Sequence, residues 1–258
     1  MHLDNFDNIH DAYEQVLSDV YNNPDYTSSP RGMEIRERVN YKFIINHPTS
    51  DPIKTHDLKR NETIADYTKK EVELYNSRSN LASDFAKASK FWEKIANPDG
   101  TINSGYGYLI WGNPSFGNPN YEYYESEFIP AECGYGMRTP WQWAKDSLLK
   151  DKDTRQAFIK FSLPEHHWFG NKDQTCTMHG NFLIRDNKLH LTIVMRSNDV
   201  VFGLVYDLPW FCSLIDRMLD DIKNMYPKVK KGTYTHIAHS MHMYSRDKEK
   251  VLKMLGIK

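Results

Sequence analysis

The strongest constraint on how this chain can fold is residues 181–196, two runs of alternating apolar and polar side chains joined at Asp186-Asn187. Period-two alternation puts successive side chains on opposite faces of an extended chain, and an Asx pair between two such runs is turn chemistry, so the segment predicts a β-hairpin. Two more segments read as strands. In residues 35–45, Val39, Tyr41 and Phe43 alternate with polar neighbours, and residues 233–238 form one more candidate strand.

Helical spacing accounts for much of the remainder. Phe6, Ile9, Tyr13, Val16, Leu17 and Val20 recur at intervals of three and four until Asn22, Asn23 and Pro24 stop the pattern. Similar patterns cover residues 64–75 and 81–95, the second ending in the turn Asn97-Pro98-Asp99-Gly100. Leu208, Phe211, Ile215, Met218, Leu219 and Ile222 mark a long amphipathic helix closed by Pro227. Residues 119–138, rich in Gly, Pro, Tyr and Glu, show no period and read as an irregular insertion. The pattern is mixed α and β, with meandering strands instead of regular βαβ units. No repeat, low-complexity tract or linker divides it, so the expectation is one α+β domain over residues 1–258.

Composition excludes several classes of function. No apolar run approaches the roughly 20 residues that cross a bilayer, so no membrane role is expected. The polar, acidic start of the chain does not resemble a secretory signal, which gives a cytoplasmic expectation. A net charge of -1 supplies no field for holding nucleic acid, yet leaves room for a local arginine cluster around one phosphate. Cys133, Cys176 and Cys212 are too few and too irregularly spaced for a disulfide framework or a zinc site. No metal is expected. The three should be free thiols, one of them reactive.

Residues 195–207 end a strand and run into a helix, bringing a cation, hydroxyl and amide groups and two carboxylates into one short connection. A surface ion pair between Arg196 and Asp199 is the bland account of that segment. However, Arg196-Ser197-Asn198-Asp199-Val200-Val201-Phe202-Gly203, followed four residues later by Asp207, resembles the nucleotide-binding signature of the thymidylate synthase family. Within that family it is most similar to the bacteriophage deoxycytidylate hydroxymethylases. Other landmarks occur in family order: residues 102–108 (Ile-Asn-Ser-Gly-Tyr-Gly-Tyr), Asp153-Thr154-Arg155, Cys176 before the hairpin, and His242-Met243-Tyr244. The likeness covers the chain from about Glu71 to Tyr244, with a weaker match at Arg31-Gly32.

The resemblance implies a twisted, mostly antiparallel sheet with flanking helices, dimerising through that sheet, and 5,10-methylenetetrahydrofolate as cosubstrate. It makes Cys176 the nucleophile. C5 of a pyrimidine is a poor carbon nucleophile, and adding a thiolate at C6 turns it into the carbon end of an enamine. Cations should favour the thiolate, and the resemblance puts Arg155 and Arg196 near it. Arg196 and Ser197 carry over as phosphate ligands within the signature that also holds Asn198, Arg155 as a phosphate ligand acting across a dimer interface, and Arg31 as a fourth arginine. Arg36 and Arg38 compete with Arg31, and a solvated charged face explains all three. The family's second arginine after Arg155 is Gln156 here. His242 and Tyr244 correspond to ligands of the sugar hydroxyl, on one face of a strand by their spacing. Glu71, preferred over Glu73 by register, corresponds to the glutamate that orders water around the base, and Tyr106 to a tyrosine that helps remove the C5 proton. Asp199 and Trp92 carry over to the folate pocket. Cys212, on the amphipathic helix, and Cys133 read as small buried hydrophobes.

Asp207 bears on the choice of base. The synthases carry asparagine there, which donates to uracil O4 and accepts from N3-H. A carboxylate instead accepts from the cytosine amino group and faces uracil O4 without a donor, so Asp207 should select deoxycytidylate. The competing reading makes Asp207 a helix N-cap ahead of Leu208-Pro209. Thr177, where synthases have histidine, resembles the hydroxymethylases, which favours water over hydride as the trap for the one-carbon unit. A phage enzyme acting in the host cytoplasm fits, since modified cytosine would protect viral DNA. The chain ends soon after Tyr244 without the family's longer tail, so folate-site closure should differ. Thymidylate synthesis, hydroxymethylation of cytidylate, and a nucleotide-binding protein that has lost folate use are the alternatives.

Overall fold

The structure is a computed structural model that describes residues 4–112 and 139–257. The expectations for residues 119–138 and for Cys133 lie outside the described residues. In chain order the elements are β1 (Asp4–Phe6), α1 (Ile9–Asn22), β2 (Tyr26–Ser28), β3 (Ile35–Ile45), α2 (Leu58–Ser77), α3 (Ala82–Phe85) and α4 (Phe91–Ile95). They continue with α5 (Pro140–Lys150), β4 (Phe158–Lys160), β5 (Thr177–Arg185), β6 (Lys188–Met195), β7 (Asn198–Asp199), α6 (Leu204–Ile222), β8 (Lys230–Tyr244) and α7 (Lys248–Met254).

The strands form one sheet in the order β1-β3-β8-β6-β5-β4, with β2 beside β3 and β7 beside β8. The hairpin is present as expected. β5 and β6 pair antiparallel, and Asp186 and Asn187 take φ of 50° and 55°, the left-handed conformation a tight two-residue turn requires. β3 and β8 also pair antiparallel, from Ile35↔Tyr244 to Ile45↔Tyr234. The sheet is mixed, because β6 and β8 run parallel with α6 crossing between them. One βαβ unit therefore interrupts the expected meander. The apolar stripe of α6, which buries Leu204, Leu208, Phe211, Ile215, Met218 and Ile222, can cover the sheet only by such a crossover. The same helix buries Cys212 completely, as its place in the pattern implied, and burial pushes that thiol well up.

Local signals explain most boundaries. Asn8 caps α1, its side chain accepting from His10 N and Asp11 N, and the helix buries the periodic residues from Ile9 to Val20. The pattern over 81–95 splits into α3 and α4. Ser89 sits at the break, where its hydroxyl accepts from the Phe91 N–H (3.3 Å) and competes with the helical ladder. The opposite face of the sheet carries Ile44, Leu183, Thr192, Val194, Thr235 and Ile237, all half-buried. No helix among the described residues is long and apolar enough to cross a membrane.

Candidate active site

Cys176 stands directly before β5, at the end of a loop fastened from outside. Asp173 in that loop accepts hydrogen bonds from Asn103 N (2.6 Å), Ser104 N (2.8 Å) and the Ser104 hydroxyl. Thr175 Oγ1 donates to Asn103 O (3.3 Å), and Asn103 Nδ2 to Asn171 Oδ1 (3.1 Å). The Ile102-Asn103-Ser104 landmark is thus the anchor of the cysteine loop. On the other side, Arg196 at the end of β6 donates from its backbone N–H to Cys176 O (2.9 Å). Its guanidinium donates to Thr175 O (3.0 Å) and Gln174 O (2.6 Å), with Nη2 3.6 Å from Cys176 Sγ.

Arg196 and Asp199 form no ion pair, so the surface-pair account of that segment is wrong. Nor is the thiol held low. Burial raises it, the Arg196 charge opposes that, and Asp207, Asp173 and Asp199 push it further up. One cation does not outweigh burial and three carboxylates.

Ser197 and His242 meet across β7 and β8, with Ser197 Oγ 3.5 Å from His242 Nδ1, a nitrogen that also lies 3.4 Å from Ser240 O. Among the described residues His242 Nε2 has no hydrogen-bond partner, although the ring is only 8% exposed. The ring of Tyr244 stands edge-on to it at 5.5 Å. Arg31 is exposed in a tight turn, with φ of 54°, at the end of the sheet where Ile35 pairs with Tyr244. Arg36 and Arg38 have structural employment instead. Arg36 donates to Tyr21 O (2.5 Å), and Arg38 lies 3.5 Å from Asp19 and 3.9 Å from Asp25. Arg155 is exposed in the segment before β4.

Glu71 on α2 and Asp207 on α6 lie near enough for the charge of Asp207 to act on Glu71. Ile64, Thr68, Glu71 and Tyr75 share the inward face of α2, whereas Glu73 is not among its buried residues. Asp207 lies inside the first turn of α6 and not at its N-cap, which is Gly203. The helix begins a turn early because the Asp199 carboxylate accepts from Val201 N (2.8 Å) and Phe202 N (3.3 Å), organising the entry that Asp207 was expected to cap. Freed from capping, Asp207 Oδ2 accepts from Asn198 Nδ2 at 2.7 Å.

Burial raises Asp207 to about 6, with Asn198 opposing and Asp199 assisting. Burial and the Asp207 charge raise Glu71 to about 8 against hydrogen bonds from Tyr75 and Tyr67. Tyr106 packs between Tyr75 and Phe161, accepts from Thr177 Oγ1 (2.9 Å), and feels the charges of Asp207 and Cys176. Gly107 beside it lies so close to Tyr75 that a Cβ would fall 1.8 Å from the Tyr75 carbonyl oxygen.

Trp92, expected at the folate pocket, belongs to an aromatic cluster. Trp92 Nε1 donates to Tyr67 OH (3.2 Å), and the Tyr67 and Tyr206 rings are 4.5 Å apart. Asp199 keeps Oδ2 free of hydrogen bonds among the described residues. A carboxylate near aromatic rings suits a flat heterocycle with N–H donors, so these residues fit a pterin. Tyr67 and Tyr75 escaped sequence reasoning, although each lies four residues from Glu71 and hence on its helical face. Asp173 offered no comparable signal, because its partners lie about seventy residues away.

Comparison with known proteins supplies independent evidence. A family model described as thymidylate synthase matches residues 11–257. The deoxycytidylate 5-hydroxymethyltransferase of Enterobacteria phage T6 is 31% identical over 188 residues, covering 70% of this chain and 68% of that protein. A deoxyuridylate hydroxymethyltransferase of Bacillus phage SP01 is 29% identical over a shorter stretch, 43% of this chain and 30% of its own. Among solved structures, thermostable thymidylate synthase A from Bacillus subtilis superimposes with a TM-score of 0.66 at 14% identity, covering 97% of this chain and 84% of that one.

Proposed function

This chain belongs to the thymidylate synthase family, and on that premise we propose that it transfers a one-carbon unit from 5,10-methylenetetrahydrofolate to C5 of deoxycytidylate and hydrates it to 5-hydroxymethyldeoxycytidylate. The observation that carries this reading is the Asp207 carboxyl, freed from helix capping, held by Asn198 and placed where its charge reaches both Cys176 and Glu71. Against the cytosine amino group a carboxylate is a matched acceptor. Against uracil O4 it is an acceptor facing an acceptor, which costs about 1–3 kcal/mol.

In this reading Arg196, Ser197, Arg31 and Arg155 of the partner subunit hold the 5′-phosphate. The phosphate competes with the carbonyl groups that now occupy the Arg196 guanidinium. His242, through its open Nε2, and Tyr244 hold the sugar hydroxyl. Cys176 Sγ adds to C6. The proton that leaves the thiol is matched by the one that N3 takes up, so the covalent adduct forms without net proton exchange, and Asp207 accepts from both N4-H and the new N3-H. Methylenetetrahydrofolate, when bound against Asp199 and the Trp92 wall, supplies a carbon at the oxidation level of formaldehyde. C5 bonds to that carbon, and Tyr106 assists loss of the C5 proton as the carbon–nitrogen bond to tetrahydrofolate breaks, which leaves an exocyclic methylene on the nucleotide and the electron pair on the departing amine. Water held by Glu71 adds to that carbon, and elimination of the thiol restores the ring.

Tritium release from C5-labelled deoxycytidylate, cytidylate and deoxyuridylate, with and without methylenetetrahydrofolate, tests this together with the product mass. Fast folate-dependent release from deoxycytidylate and the mass of the hydroxymethyl nucleotide are expected. Release from none of the three would reject the enzyme. Preference for deoxyuridylate, or a methyl product, would reject the assigned reaction.

A further inference from the structure

Asn198 is an odd residue to bury. It is 3% exposed, on β7, and its Oδ1 is a buried acceptor with no hydrogen-bond partner in the described residues. Such an atom is unfavourable to bury, and Ala at this place would avoid it. Among the described residues its only side-chain hydrogen bond is Nδ2 to Asp207 Oδ2, at 2.7 Å. The fold also makes room for it. A Cβ on Gly203 would stand 3.0 Å from Asn198 Nδ2 and 2.9 Å from Asp199 O, so a larger residue there would push the amide away. The amide cannot turn over either, because Oδ1 would then oppose the carboxylate oxygen.

We infer that Asn198 is the positioning residue that determines base choice: its N–H holds Asp207 as a carboxylate in one orientation toward the base. The inference rests on the proposed reaction, and it assigns to Asn198 an action through Asp207. Without the amide, Asp207 takes up a proton more readily. A protonated Asp207 donates to uracil O4 and accepts from N3-H, the pattern an asparagine would offer, so discrimination falls. The other groups whose charges couple to Asp207 are Asp199 on β7, Glu71 and Tyr75 on α2, Tyr106, Cys176, and Tyr234 on β8. None of them hydrogen-bonds the Asp207 carboxyl, whose partner among the described residues is Asn198.

The test is the ratio of kcat/KM for deoxycytidylate over deoxyuridylate, measured by tritium release between pH 5 and pH 9 for the wild type, Asn198→Ala and Asn198→Ser. In the wild type the ratio should be high above about pH 6 and decline below it as Asp207 protonates. In each variant the midpoint of that decline should move up by about one pH unit, and the ratio at pH 7 should drop about tenfold, the effect of one hydrogen bond to a charged group. In an Asp207→Asn background, Asn198→Ala should change the ratio less than twofold. A wild type that prefers cytosine, with variants that lose turnover but keep both ratio and midpoint, would overturn the inference and leave the proposed reaction standing. A wild type without cytosine preference would overturn both. Two variants guard against a folding defect in one, and either one with a shifted midpoint upholds the proposal.

Discussion

Glu71 and Asp207 are the same functional group placed at the two walls of one site, and their surroundings drive them to different states. Both are raised chiefly by burial. Asp207 stands in the first turn of α6, where the helix dipole and the Asn198 amide favour its charge, and it settles at about 6. Glu71 lies mid-helix among aromatic rings and faces the negative charge of Asp207, and it settles at about 8 in spite of two tyrosine donors. Between those values one proton resides on the pair, and it resides on Glu71. The pair therefore holds one acceptor, Asp207, and one donor, Glu71, a division that two identical environments could not produce.

If that division is correct, the two residues should fail in different ways. Glu71→Gln should lower kcat by about 10²- to 10⁴-fold, the usual range for a lost acid–base group, while the preference for cytosine stays within a factor of about three. A variant that loses preference as steeply as turnover would show that the roles are not separated. Asp207→Asn should do the reverse. The cytosine-over-uracil ratio of kcat/KM should fall about tenfold to a hundredfold, matching the cost of a misplaced acceptor, and an unchanged ratio would refute the account of base choice. The same substitution removes the charge that Glu71 feels, so Glu71 should titrate below 8 in Asp207→Asn, read from its carboxyl infrared band.

The two walls also differed in how readily the sequence disclosed them. The hairpin with its Asp186-Asn187 turn, β3 and the inward stripe of α1 rest on contacts between near neighbours in the chain, and their patterns survive in the one-dimensional string. The identity of Asp207 was legible too. Its setting was not, because Leu208-Pro209 imitates a helix start while the true entry is organised by Asp199, eight residues earlier. The parallel β6–α6–β8 crossover was hidden for a related reason. Pairing between Leu191 and Tyr234 leaves no local period, and meandering strands give the same alternation. The Glu71 wall shows both cases. Tyr67 and Tyr75 could have been placed by counting along the helix, whereas the charge that fixes the state of Glu71 comes from Asp207, far along the chain.

Stability offers a finer test of the comparison, and its sign is opposite to that of an ordinary salt-bridged carboxylate. Glu71 titrates near 4.5 in an unfolded chain and at about 8 in the native one, so between those pH values the folded state binds more protons. Stability should then fall as pH rises through that window, by an amount on the order of 4 kcal/mol at about 1.4 kcal/mol per pH unit. Glu71→Gln should flatten the slope, measured as urea midpoints at pH 5 and pH 8. An equal slope in the variant would mean that Glu71 is not the group that holds the proton.

The smallest expected effect belongs to Tyr67→Phe. The Tyr67 hydroxyl accepts from Trp92 Nε1 at 3.2 Å, and this turns its own proton toward Glu71, where it favours the ionised carboxylate. Removing it should raise Glu71 above 8 by about half a unit to one unit and cost about 1 kcal/mol through the stranded indole N–H. Trp92→Phe leaves the hydroxyl in place and removes only its orienting partner, so the Glu71 carboxyl band should move by less than half as much. If Trp92→Phe moves the band as far as Tyr67→Phe does, the indole acts on Glu71 directly through burial, and the hydroxyl is a spectator.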